Sequence, residues 1–182
     1  SKKLLLEILA GCAGLTSALI KIGLECGTPF DAYPQKGVYV REHDLLDPAI
    51  VSQLLKLIYK KVYAYVHFGM PCSSFSRQQN LNGGTRTTSC PAGDGTLDRE
   101  ILGNKLADVV SLLCRALHNV GCYFCFENPR FALSWLYLPI CDLVDISFDV
   151  DFDQCMFGLA PPHVDVSQPV SYTHLTLPTI SS

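Results

Sequence analysis

The stretch Val66 to Arg77, VHFGMPCSSFSR, constrains the fold of this chain more than any other. An apolar run stops at Gly69 and Pro71 and gives way to a cysteine, small polar residues and an arginine. A short apolar run closed by turn residues reads as a buried strand, and this one delivers Cys72 to the carboxyl end, where α/β sheets bind ligands. Two other runs repeat the plan. Leu5 to Gly14, LLEILAGCAG, ends in a small-residue loop, and Tyr123 to Arg130, YFCFENPR, ends in a carboxylate, an amide and a proline. Between the runs lie stretches with helical spacing: Leu15, Ala18, Leu19 and Ile22, then Ile50, Val51, Leu54, Leu55 and Ile58, then Leu102 to Leu117, closed by Gly121. Strands alternating with helices predict an α/β doubly wound, mostly parallel sheet with polar chemistry gathered at one end.

At 182 residues, with 48% apolar and 17% charged, the chain suits one domain with one core. Arg115 and His118 interrupt the longest candidate for a membrane helix, which needs about 18 apolar residues. The start, SKKLLLEILA, lacks a small-residue cleavage site, so an intracellular protein without a membrane partner is expected. Nine cysteines without framework spacing predict reduced thiols. Cys122 and Cys125 have CxxC spacing but sit inside a strand-like run, where residues three apart point to opposite faces, and no second pair completes a site, so no metal is expected. The net charge of −3 provides no obvious basic face of the kind nucleic-acid-binding modules show. A surface for such a partner is therefore small and local, or lies outside this chain.

Cys26 to Asp31 and Val38 to Arg41 are each apolar enough for a short strand and each precede an acid, Asp31 and Asp44. A carboxylate at a strand end can accept ribose hydroxyls, whereas Asp47 beside Pro48 reads as a helix cap. From Ser73 to Asp98 the only large apolar residues before Leu97 are Phe75 and Leu81, so this loop is too long for a mere connector and reads as a functional lid or as locally disordered. Arg77, Arg86 and Arg99 are its candidates to meet phosphates. Pro129 is expected to open a helix through Trp135, with Trp135 as packing. Val144 to Phe152 alternates strictly, which predicts a half-exposed strand with Val144, Ile146, Phe148, Val150 and Phe152 on one face. His67 reads as a satisfied core histidine. That leaves Cys72 without an activating base and removes a cysteine-hydrolase reading.

In this order and spacing, the loop GCAG, the motif MPCSS and the motif ENP resemble the DNA cytosine-5 methyltransferase family over roughly residues 3 to 158. The resemblance implies a class I, Rossmann-like methyltransferase fold, incomplete at its C-terminus, with S-adenosylmethionine as cofactor and DNA as partner; RNA is served by the same chemistry. It assigns Cys72 as nucleophile and Glu127 as the acid that meets ring nitrogen 3 of cytosine. Pro71, Ser73, Ser76, Arg77, Asn128, Pro129 and Arg130 would surround the base, which must be flipped out of the duplex to be reached. Leu9, Ala10, Gly11, Cys12, Gly14 and Leu15 would form the cofactor loop, with Asp31 on the ribose, Ala32 beside it, Asp44 and Leu45 near the adenine, and Gly69 behind. The family has glycine where Ala13 stands and often a large ring where Ala32 stands, so Tyr33 would have to substitute. After Asp153 to Gly158 no QxRxR pattern follows, and the final VSYTHLTLPT looks like a translated library adaptor. Residues 1–169 are therefore read as a partial catalytic core and 170–182 as a non-native tail. A degenerate or truncated relative that binds cofactor or nucleic acid without turnover is the competing reading.

Overall fold

The computed structural model describes residues 3–34, 37–151 and 174–178. Three strands, β1 (Lys3–Ile8), β2 (Tyr63–Gly69) and β3 (Tyr123–Asn128), lie side by side in parallel. The ladder runs from Lys3↔Tyr63 to Ile8↔Phe68 and from Tyr65↔Tyr123 to Gly69↔Glu127. All three apolar runs are therefore strands, and their following loops meet at one end. On the outer side of β1, the segment holding Cys26 and Phe30 pairs in parallel through isolated bridges to Leu5 and Ile8. The chain thus steps outward from β1 and then returns past it to β2. That reversal makes a topological switch point between the carboxyl ends of β1 and β2, where such sheets open a crevice.

Strand alternation sorts the side chains. Leu6, Ile8, Val66, Phe68, Phe124 and Phe126 form the core with α2 (Pro48–Tyr59) and α3 (Asp98–Asn119), which contribute Val51, Leu54, Ile58, Val110, Leu113 and Leu117. The opposite face carries Glu7. Its Oε2 accepts from the amide and hydroxyl of Thr16, at 2.8 and 2.6 Å, and so seats α1 (Gly14–Lys21) on that side. The result is an α/β arrangement, a three-strand parallel sheet flanked by helices and compatible with a Rossmann-like fold. Asp47 caps α2 as expected: its Oδ1 accepts from the Ala49 amide at 2.8 Å, with Pro48 following as the first helical residue. Asp47→Ala is expected to cost about 1 kcal/mol of stability in urea denaturation.

Three local expectations are corrected. Val38 to Arg41 is not a strand; Val38 is 72% exposed, so its apolar side chain finds no sheet to cover, and a 3-10 turn follows over Arg41–His43. The helix expected from Pro129 through Trp135 starts later, as a 3-10 turn over Leu133–Leu136, because Ala132 is extended. Pro129 instead makes a tight turn, its carbonyl accepting from the Ala132 amide at 3.0 Å and from Trp135 Nε1 at 2.8 Å. Trp135 does pack as expected, edge-on to Phe126 at 5.1 Å. Beyond α4 (Leu138–Cys141), Val144 and Ile146 belong to a 3-10 turn over Asp142–Ile146, closed by Ser147 Oγ on the Leu143 carbonyl. The alternating strand therefore begins only at β4 (Ser147–Asp151), where Phe148 and Val150 are exposed; Phe152 lies outside the described residues.

The sheet is completed by β5 (His174–Pro178), which lies antiparallel between β3 and β4 in the order β1-β2-β3-β5-β4. This strand comes from the stretch set aside as a non-native tail, so the sheet is parallel only across its first three strands. Asp153 to Gly158 lies outside the described residues. Among the described residues no helix is long and apolar enough to cross a membrane.

Candidate active site

The loop after β1 places three left-handed residues in five positions: Leu9 (φ 56°), Gly11 (φ 52°) and Ala13 (φ 54°). Only one is glycine, so the other two need outside support. Ala10 provides it: its amide donates to the Phe30 carbonyl at 3.3 Å and its carbonyl accepts from the Ala13 amide at 2.7 Å. The Gly11 amide donates to Asp31 Oδ2 at 2.8 Å, while Asp31 Oδ1 accepts from the Tyr33 amide at 2.7 Å. One carboxylate thus ties the loop after β1 to the turn after the edge segment. Cys12 is exposed at the loop tip, and Gly14 and Leu15 begin α1. Gly69 approaches from β2: a Cβ there would stand 3.0 Å from the Leu9 carbonyl oxygen, which explains the glycine without invoking a ligand.

Asp44 is close to an aromatic pair. Its Oδ1 accepts from the Leu46 amide at 2.9 Å and its Oδ2 from the Tyr39 hydroxyl at 2.7 Å, a bond that raises the Tyr39 pKa. Tyr39 and Tyr33 have ring centroids 5.2 Å apart, and both rings are exposed. The ring missing at Ala32 is thereby present one residue later, with Tyr39 as a second ring that sequence reasoning overlooked. Ala32 itself contributes its carbonyl, which accepts from the Val40 amide. Leu45 differs from its neighbours, since its side chain is 2% exposed and belongs to the core.

The loop after β2 leaves Pro71, Cys72 and Ser73 exposed. The Cys72 carbonyl accepts from the Phe75 amide at 3.1 Å and closes a 3-10 turn over Ser73–Phe75; Ser76 Oγ then caps a second over Arg77–Asn82. Of the two expectations for this loop, local disorder is corrected: it is folded around a buried arginine. Arg86 is 1% exposed, lies 3.7 Å over the Phe75 ring, and donates to Ser74 Oγ, Asn104 Oδ1 and the carbonyls of Pro91 and Glu100. Burial lowers its pKa. Arg86 is therefore corrected from a phosphate contact to the internal support of the loop. Arg99 is exposed and donates to the Asn82 carbonyl. Arg77 Nε donates to the Phe131 carbonyl at 3.1 Å and so joins the loop after β2 to the turn after β3.

Between those loops lies a cleft of about 360 Å³, lined by Cys72, Ser76 and Arg77 on one side and Pro129, Arg130 and Phe131 on the other. Phe131 is 70% exposed, with the Arg130 guanidinium 5.6 Å from its ring. A ring directly after ENPR was visible in the sequence but carried no pattern to mark it. Asn128 is not a wall of the cleft: it is buried, its Nδ2 donates to Ser134 Oγ at 2.8 Å, and it acts on the cleft through the turn it holds.

Glu127 stands in register with Gly69, on the sheet face opposite the main core. Its Oε2 lies 3.5 Å from His67 Nε2. His67 is therefore not the satisfied core histidine expected, for its buried Nδ1 has no hydrogen-bond partner. Recognising this pair requires the β2–β3 register, which sequence spacing does not provide. Cys122 and Cys125 are both buried, and burial pushes the Cys125 thiol up to about 12. Among the described residues no group of three or more His, Cys, Asp or Glu side chains is gathered for a metal. No protein-family model, curated protein or solved structure matches the chain.

Proposed function

We propose that the chain is the catalytic core of a class I methyltransferase that methylates carbon 5 of cytosine in DNA, with S-adenosylmethionine as methyl donor. The observation that carries this reading is the convergence at the switch point. The Asp31-bound loop after β1 abuts the strand end at Gly69, and three residues later Cys72 opens on the cleft shared with Pro129 and Arg130.

The loop fits the cofactor. It contains no lysine or phosphate-cradling pattern, as suits a ligand without phosphates, and a Cβ on Gly11 would meet nothing within 4 Å, which leaves open space at the loop. Asp31 is the acceptor for ribose hydroxyls, Asp44 the acceptor for the adenine amino group, and the Tyr33 and Tyr39 rings flank both acids. When bound, S-adenosylmethionine supplies an electrophilic methyl group on a sulfonium. The remaining chemistry belongs to the chain.

Carbon 5 of cytosine is a poor nucleophile until the ring is made electron-rich. Addition of the Cys72 thiolate to carbon 6 does this, provided Glu127 hydrogen-bonds to ring nitrogen 3 as charge develops there. After methylation, the carbon 5 proton passes to solvent water, the Cys72 thiolate leaves carbon 6, and the proton on ring nitrogen 3 returns to Glu127, which restores the neutral aromatic ring. Arg77 and Arg130 supply local positive charge at the cleft despite the net charge of −3, and Phe131 offers an exposed face for a base to stack on.

DNA carrying 5-fluorocytosine tests this directly, because the fluorine at carbon 5 cannot be lost as the proton is, and the thiol stays bound. With S-adenosylmethionine, the full-length protein is expected to form a denaturant-stable adduct mapping to the peptide that contains Cys72. An RNA oligonucleotide run in parallel distinguishes the two substrates. A full-length protein that binds the cofactor and forms no adduct with either would overturn the proposal.

A further inference from the structure

On the sheet face opposite the main core, the strand register brings ionisable side chains together around His67. Glu7 of β1 is level with His67 of β2, His67 with Cys125 of β3, and Gly69 with Glu127; Tyr65 precedes His67 on the same side. Three of these are accounted for without His67. Glu7 is held by Thr16, and Tyr65 and Cys125 are neighbours whose burial raises the pKa of both. The helix on this face, α1, has Lys21 as its single ionisable residue, and Lys21 is exposed. His67 has a different partner. Its ring is 10% exposed, its Nε2 lies 3.5 Å from Glu127 Oε2, and its Nδ1 is buried without an acceptor or donor.

A proton on Nδ1 would be a buried donor with nothing to receive it, whereas Nε2 stands 3.5 Å from a carboxyl oxygen that a proton there can reach once the pair closes by a few tenths of an ångström. The neutral ring is thereby placed in its Nε2–H tautomer. We propose that His67 is the positioning residue of the active-site acid: its Nε2–H holds Glu127 Oε2 and fixes the rotation of the carboxyl plane, and with it the direction in which Oε1 meets ring nitrogen 3 of the base. This inference rests on the cytosine methyltransferase reading. As the thiolate adds to carbon 6, the Oε1–H bond breaks and an N3–H bond forms. The carboxyl becomes a carboxylate, and its new charge strengthens the bond from Nε2–H. The arrangement is thus worth more in the transition state than before it.

The test compares single-turnover methylation of a cytosine-containing duplex by the full-length protein and its Glu127→Gln, His67→Phe and His67→Gln variants. His67→Phe is expected to slow the chemical step by roughly 10²-fold with the KM for DNA and cofactor within about twofold. His67→Gln, whose amide N–H reaches the place of Nε2, is expected to recover most of that loss. In the unsubstituted protein, ring ¹⁵N resonances should show Nε2 protonated and Nδ1 bare, and the Nε2 signal should move in Glu127→Gln. If Glu127→Gln methylates as fast as the parent, the functional reading fails. If Glu127→Gln is inactive but His67→Phe keeps the parent rate, only the positioning role is overturned. Should His67→Phe not fold, the Gln variant and the ring signals decide, and a proton found on Nδ1 sinks the proposal.

Discussion

Under the proposed function, Cys72→Ser is expected to lower methyl transfer to DNA by roughly 10⁴-fold or more while leaving S-adenosylmethionine affinity within about twofold. The size follows from the chemistry. Carbon 6 must be attacked by a soft, strong nucleophile before carbon 5 can accept a methyl group, and a serine hydroxyl at the same place is a far weaker one. The substitution is also clean structurally. Cys72 is exposed, and its backbone at φ −76° and ψ −15° is a conformation serine adopts without strain. A loss of rate therefore reports on the thiol and not on folding, which a thermal melt of the variant verifies. Cys141→Ser, at an exposed thiol on α4 away from the Cys72 cleft, is the control and retains the parent rate. If Cys72→Ser keeps the rate of Cys141→Ser, Cys72 is not the nucleophile; if parent and both variants alike transfer no methyl group while binding the cofactor, the competing reading of a chain that binds without turnover holds.

The frame of the molecule was legible because its signals are local. Leu5 to Ile8, Val66 to Phe68 and Phe124 to Phe126 are short apolar runs bounded by turn residues, and α2 and α3 bear apolar residues at helical spacing. The caps were legible for the same reason: Asp47 before Pro48, and Gly121 after α3, where φ is 69°. The misreadings concern residues whose role is decided by distant partners. Val38 and Tyr39 look like a strand, yet whether an apolar pair becomes one depends on an open sheet edge, and here both remain exposed. Val144 and Ile146 obey the strand alternation but are captured by a 3-10 turn that Ser147 closes. At the candidate site, Cys72 and Glu127 were singled out from their own motifs. The contact between Glu127 and His67 was not, because it arises from two strands aligned so that Gly69 meets Glu127.

Arg86 is the sharpest case of this kind, and it yields the largest expected effect on stability. In sequence it is one cation in a polar loop. In the fold it supplies donors to two backbone carbonyls, a serine and an asparagine, and stacks on a fully buried phenylalanine. Beside it Glu100, itself 1% exposed, receives the amide and hydroxyl of Thr85, so the loop is tied to the first turn of α3 from two directions. Removing the guanidinium leaves several acceptors inside the protein without donors, and a lysine, with one compact ammonium, cannot span them. Arg86→Ala is expected to cost about 3 kcal/mol, a fall in melting midpoint of roughly 6–12 °C, and Arg86→Lys to recover less than half of it. Because Ser74 and Phe75 lie two and three residues after Cys72, the same variant is expected to loosen the thiol's turn and, under the proposed function, to slow methyl transfer. The phosphate-contact reading predicts the opposite pattern: an unchanged midpoint, with DNA affinity weaker and its dependence on log salt shallower by about one unit. Melting curves and a salt titration on one variant therefore separate the two roles. A midpoint within about 2 °C of the parent, together with a reduced salt slope, would return Arg86 to the DNA-facing surface.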